Sequence, residues 1–469
     1  MSREAFFARI GLTSVTACVA LATPGCSSNG EPSSQPSERV SLPAIVYKGG
    51  ELLSVPRVVT VTFRGDPLAA DLDAFGASIV SSAWWDTVRF ERCASGGACV
   101  DDGPAGTSVQ LSTDAPATFT DSDNGAPSTV QTWLLSAIDD GSLPPPAPAP
   151  SGAMSSTVYL IYLPGTTLVD FDGLMSCVPG GFSGYHNHVT LGQGQAVPYA
   201  IVSECTPPPP PSGSGMTPPT TLDTTTVTAS HEILETATDP DGHSGFGMRL
   251  DRVDNWSWLD IVGGDEAADL CIDPFGMYQD MTQGVMGSRT FAVQRIWSDV
   301  SVAAGHDPCV PAPAGQVYFN AAPRTAFFVL DVGESTTFDV DAYADGPIPG
   351  WMLFAQDWSG SGGYLDLAIE GGQTSNAGPK IVVTAGQTLH VTASLTADPS
   401  DLPSGEADGA LVSVSGSGSP PVAHYWPFAV MSREHATRIG LAVRKDRDGA
   451  PVRPPQALTA LGLSGTTSR

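Results

Sequence analysis

Residues 55–64 (VPRVVTVTFR) alternate between apolar and polar positions and are rich in Val and Thr, a pattern that predicts a strand. Over 71–88 the apolar residues recur at helical spacing instead. Leu72, Phe75, Ile79 and Trp84 fall on one side, which predicts a single amphipathic helix. A short strand at 106–112 and a helix at 128–140 follow, with Ser128 placed to cap the helix. TVYLIYL at 157–163 and AVPYAIVS at 196–203 read as buried strands. The run TPPPPPSGSGMTPPTT then interrupts regular structure. Residues 223–238 (DTTTVTASHEILETAT) predict a second helix, stopped at Asp239-Pro240 because proline pushes the preceding residue out of the helical region. Periodicity is weak from 243 to 310. Beyond 315, eight short alternating runs from QVYFN to ALVSVSG predict an antiparallel β-sandwich, with 315–430 expected to fold alone. The fold class expected is therefore α+β: a mixed α/β part over 43–312, then the sandwich over 315–432 and a solvated tail over 433–469.

The N-terminus reads as an address. Arg3 and Arg9 precede an apolar run from Ile10 to Ala22, as in a secretory signal. Two exits compete: Ala20-Leu21-Ala22 suits ordinary signal cleavage, and Gly25-Cys26 resembles a lipoprotein box, although its leucine is displaced. Lipidation of Cys26 leaves six cysteines and cleavage after Ala22 leaves seven, so parity favours a 1–26 lipoprotein signal followed by a flexible tether over 27–42. An exported protein meets an oxidising compartment, where paired cysteines are the default. Six cysteines allow fifteen pairings; sequential ones (Cys93–Cys99, Cys177–Cys205, Cys271–Cys309) are favoured because each stays within one apparent unit.

Composition narrows the partners. Hydrophobic residues make up 41% of the 469, enough for a large core, while the formal net charge of −28 sets the chain against nucleic acid. The membrane is expected only through the N-terminal lipid, on the bacterial cell envelope, with secretion as the other outcome.

One constellation carries chemistry. His231-Glu232-Ile233-Leu234-Glu235 is an H-E-x-x-E string on the predicted helix. Residues four apart share a face, so His231 and Glu235 can hold one divalent cation, zinc first among them. Glu232 is then the candidate base for a metal-bound water, by the logic of the H-E-x-x-H hydrolases. A third ligand is expected from the 265–269 segment, with Asp269 ranked before Glu266 and Asp239 last. Asp269 comes first because it stands two residues before Cys271. Upstream, His186 and His188 alternate in GYHNH and would face one side of a strand; His186 is the second catalytic candidate.

The run ASHEILETATDP (229–240), followed by EAADLC (266–271), resembles the Exordium-like, phosphate-induced family of plants and its bacterial relatives. Gly-Tyr-His at 184–186 and Ile-Trp-Ser at 296–298 resemble further segments of it. The resemblance covers about 43–310 and marks His186, His231, Glu232, Glu235, Glu266 and Asp269 as matching positions. The family tolerates Asn at the position of Asp239. The order of elements is also similar to that of zincin metallopeptidases, which implies a zincin-like sandwich around the HExxE helix. Together these imply a metal-dependent hydrolase acting on peptide bonds. The alternative is a non-catalytic surface or adhesion module, stabilised by metal and disulfides, with a peptide or cell-surface polysaccharide as ligand.

Overall fold

The strand Thr157–Pro164 is hydrophobic at every position from Val158 to Leu163 because both faces of its sheet are covered. Val158, Leu160 and Tyr162 pack on one side with Ala229, Ile233 and Leu234 of the helix Thr221–Thr238. Tyr159, Ile161 and Leu163 pack on the other with Val130 and Leu134 of the helix Thr129–Asp139. The sheet runs in the order Thr107–Gln110, Arg57–Thr62, Thr157–Pro164, Ala196–Glu204, Gly184–Thr190. The first four strands are parallel and Gly184–Thr190 is an antiparallel edge. Content is mixed α/β with more strand than helix. The computed structural model describes residues 39–439, 441, 444–445 and 451–452, except 95, 123–127, 150–152, 193, 211–215, 361 and 416–420. The signal, Cys26 and the tether to residue 38 lie outside the described residues.

Four expectations need correction. The helix predicted over 71–88 is broken into Ala69–Gly76, a 3-10 turn at Ile79–Ser81, and Ala83–Arg89. Ser82 starts the last piece by accepting a hydrogen bond from Trp85 N at 3.1 Å. The apolar face survives the break, and Leu72, Phe75, Ile79 and Trp84 are all buried. Residues 39–42 of the predicted tether are packed instead, since Val40 N donates to Pro323 O and the Arg39 guanidinium lies over the Tyr343 ring. The predicted solvated tail does not begin at 433, because Arg433–Arg438 is a helix whose Ala436 packs with Trp256, Phe327 and Met431.

The fourth correction concerns the C-terminal half. It forms two facing sheets, ordered Phe319–Pro323, Ser335–Ala344, Thr388–Leu395, Leu365–Ile369 and Phe327–Leu330, Ala423–Ser432, Glu406–Val414, Trp351–Asp357, Lys380–Val383. All neighbours are antiparallel except Phe327–Leu330 beside Ala423–Ser432, which is parallel. Its core is continuous with that of the first half. Trp258, on the helix Trp256–Val262, packs 5.3 Å from Tyr425 and 6.2 Å from Trp426, centroid to centroid. A sandwich cut free would expose this aromatic surface, which argues against folding alone.

The three disulfides are Cys93–Cys99, Cys177–Cys205 and Cys271–Cys309, the sequential set. They fit an extracellular or envelope protein. Among the described residues no helix is long and apolar enough to cross a membrane.

Candidate metal centre

The helix Thr221–Thr238 is polar in sequence yet buried along most of its length. Its hydroxyls make this tolerable by donating to carbonyls one turn back: Thr226 to Leu222 O, Ser230 to Val227 O, and Thr238 to Leu234 O. A capping box starts it, with Thr220 Oγ1 accepting from Asp223 N and Asp223 Oδ2 accepting from Thr220 N. Asp239 ends it, and the Asp239 carboxylate accepts from His243 N and Ser244 N. Asp239 is thus occupied in closing the helix.

Three elements converge on this helix: the edge strand Gly184–Thr190 with His186, the 264–269 loop with Glu266 and Asp269, and the strand Arg289–Gln294 with Gln294. Two close approaches fix the packing. A Cβ on Gly184 would stand 2.7 Å from Glu232 Oε1, and one on Gly264 would stand 1.9 Å from Asp269 Oδ2. The Cys271–Cys309 bridge holds the end of the loop.

His231 Nε2 lies 2.9 Å from Glu235 Oε2 and 3.6 Å from Asp269 Oδ1. Two donors on a tetrahedral cation with bonds of about 2.0–2.1 Å stand about 3.4 Å apart, so the spacing suits a shared ion. The outer nitrogen, His231 Nδ1, is 2.9 Å from Gln294 Oε1, and Gln294 Nε2 donates to Ala268 O. That fixes the Gln294 amide as acceptor and makes Nδ1–H the donor. Nε2 then turns a lone pair toward two carboxylates, the usual outer support of a metal-bound histidine.

His186 repeats the arrangement. Its Nε2 lies 3.0 Å from the Asp239 carbonyl oxygen, while its Nδ1 faces Glu232 Oε2 at 3.6 Å and Glu235 Oε2 at 3.9 Å. Glu266 Oε2 is 3.8 Å from His186 Nε2. His231, Glu235 and Asp269 form one buried group able to hold a metal ion, and His186, Glu235 and Glu266 form another. Of the site residues named from sequence, His188 and the Asp239 carboxylate stay outside both groups and outside the Glu232 contact.

Charge is severe here. Burial drives the Glu266 and Asp269 carboxyls well above the usual range, and the Glu235 charge adds to it. Glu232 is likewise raised by burial, partly offset by His231. Burial pushes Glu235 upward too, but the facing His231 outweighs it and leaves the group lowered. Burial opposes a charged His186, yet the facing Glu232 carboxylate and the Glu235 charge lift it to about 9. Protons therefore neutralise the metal-free centre, and a cation must displace them.

Gln294 and the Asp239 carbonyl had no sequence signal, because both act through register and backbone. Lys48 is the other unannounced neighbour: it pairs with Asp265, which removes that carboxylate from the donor set.

No family model matches the chain, and no curated protein matches it significantly. Solved structures give distant matches. A conjugative transposon lipoprotein from Bacteroides eggerthii is 10% identical with a TM-score of 0.19, covering 24% of this chain and 95% of that one. Surface layer protein SbsC, domains 1–6, is 14% identical with a TM-score of 0.17, covering 38% and 20%. Domain 1 of VCBP3 from Branchiostoma floridae is 9% identical with a TM-score of 0.16, covering 26% and 99%. Likeness of this degree carries no argument about fold or function.

Proposed function

We propose that this is an exported envelope protein whose buried centre binds a divalent cation, zinc first, and hydrolyses the C–N bond of a peptide. The observation that carries the reading is the donor set His231, Glu235 and Asp269: three ligands for a four-coordinate ion, leaving one position for water. A bound cation supplies Lewis acidity and lowers the pKa of its water. Glu232, adjacent in sequence to His231 and held against His186, is the group that takes the proton. The Gln294 amide and the Asp239 carbonyl hold the two imidazoles in the required tautomers.

The zincin-like reading is supported by the placement of the HExxE helix under a mixed sheet, beside an antiparallel edge strand. Membership of the Exordium-like group rests on the strings at 229–240 and 266–271. Anchoring rests on Gly25-Cys26, and intact-mass analysis of the mature N-terminus decides it: acylated Cys26 supports it, an unmodified Thr23 start overturns it.

A second reading has its own support. Among the donor side chains His231 is the most exposed, at 12%, and the rest are at 5% or less. Such enclosure suits a structural cation in a surface module that binds peptide or polysaccharide. Glu232→Gln separates the two: under the hydrolytic reading it retains metal and fold but loses cleavage of a peptide-library substrate. Wild-type protein loaded with metal and inert toward that library would favour the structural reading.

A further inference from the structure

We propose that the centre takes two divalent cations bridged by Glu235: one with His231 and Asp269, the other with His186 and Glu266. The inference rests on the metal-binding reading above and extends it. The two potential ligand groups share Glu235 and no other residue, and in each the donor atoms lie within 4.8 Å of one another. Both imidazoles face Glu235 Oε2, and one carboxylate oxygen can bridge a pair of ions, as in two-metal hydrolytic sites.

Three independent features point to the second ion. The first is a set of buried polar atoms without hydrogen-bond partners. His186 Nδ1, Glu235 Oε2 and Glu266 Oε1 are all of this kind, and leaving such atoms unsatisfied is costly unless something else binds there. Glu235 Oε2 has none even though His231 Nε2 is 2.9 Å away, so that contact has the distance but not the alignment of a hydrogen bond.

The second is the way the imidazoles are held. His186 Nε2–H is directed at the Asp239 carbonyl and His231 Nδ1–H at the Gln294 amide oxygen. Each ring thereby presents its other nitrogen inward, toward carboxylate oxygens. One metal-bound histidine with a carbonyl behind it is ordinary; here two face the same glutamate oxygen, Glu235 Oε2, while Glu235 Oε1 accepts from Ala268 N.

The third is charge. Glu232, Glu235, Glu266 and Asp269 are all buried, and their ion-pair partners among the described residues are the two histidines, with no Lys or Arg. With neutral imidazoles the four carboxylates carry four negative charges. Two divalent ions balance that charge, whereas one balances half of it and leaves the rest to protons. The ligands also come from separate elements: the edge strand gives His186, the helix gives His231 and Glu235, and the loop gives Glu266 and Asp269. The pair of ions would tie the sheet edge to the loop through the helix.

The test is metal stoichiometry. Chelator-stripped full-length mature protein is equilibrated with zinc, dialysed, and its metal measured per chain by mass spectrometry, with circular dichroism reporting the fold. Wild type is expected to hold two zinc ions, Glu266→Gln and His186→Ala one, Asp269→Asn one, and Glu235→Gln neither tightly. Cobalt-loaded wild type should show spin coupling between its two ions, and Glu266→Gln should abolish it. The isosteric Glu266→Gln keeps the test valid if His186→Ala fails to fold. Saturation of wild type at one zinc, unchanged in Glu266→Gln, overturns the second site and leaves the His231 site standing. No bound zinc at all overturns both.

Discussion

Gly264 touches no cation donor chemically, yet its substitution should empty the His231 site. An alanine Cβ would stand 1.9 Å from Asp269 Oδ2, 2.4 Å from Cγ and 2.8 Å from Oδ1. Ordinary contact needs about 3.5 Å, so the carboxylate has to retreat by more than about 1 Å. Metal–ligand distances tolerate about 0.2 Å. The backbone itself accepts alanine, since Gly264 is absent from the positive-φ glycines. The damage should therefore fall on metal and not on fold. Disturbing the support of a ligand costs about 10–100-fold in affinity, or about 1.4–2.8 kcal/mol. Zinc titration against a competing chromophoric chelator measures this, with Asp269→Ala as the reference loss. Wild-type zinc affinity in Gly264→Ala, alongside a large loss in Asp269→Ala, would refute the packing argument.

Three further outcomes are expected. Removing the Cys271–Cys309 bridge with paired serines should weaken zinc binding, because that bridge closes the loop bearing Asp269; removing Cys93–Cys99, on a peripheral loop, should leave affinity unchanged, and the same titration compares them. Trp258→Ala should destabilise by about 3–5 kcal/mol and leave one cooperative transition, because Trp258 links the two halves of a shared core; calorimetry showing two separated transitions would contradict this. Burial, followed by the charge of Asp66, raises Glu204 to about 8. The folded state then binds the extra proton, so this stabilisation is complete below the unfolded carboxyl value and is lost as pH rises through about 8. Glu204→Gln should accordingly gain thermal stability relative to wild type at pH 9 but not at pH 4; an equal shift at both would contradict the sign.

Local chemistry was legible in the sequence where a single element decides it. The i, i+4 spacing brings His231 and Glu235 to 2.9 Å, and the position of Asp269 beside Cys271 reflects a real constraint on the loop. What depended on register was hidden, including how His186, itself a named candidate, meets the helix. His186 reaches the helix because Gly184–Thr190 is an antiparallel edge strand, and Gln294 reaches His231 only through the placement of Arg289–Gln294. The break in 71–88 was hidden for another reason: the buried face continues through it, so periodicity alone did not register the Ser82 cap. The union of the two halves depends on aromatic contacts between residues about 170 apart, such as Trp258 with Trp426, which no local pattern encodes.

Calorimetric zinc titration of the chelator-stripped mature protein, run in two buffers of different ionisation enthalpy, tests the metal centre most directly. It reads affinity and proton release together. The account predicts tight binding with protons expelled from the buried carboxyls and imidazoles, and loss of that binding in Glu235→Gln with the fold unchanged. A folded wild-type protein that takes up no zinc and releases no protons would contradict it, leaving His231 and Glu235 as an ion pair.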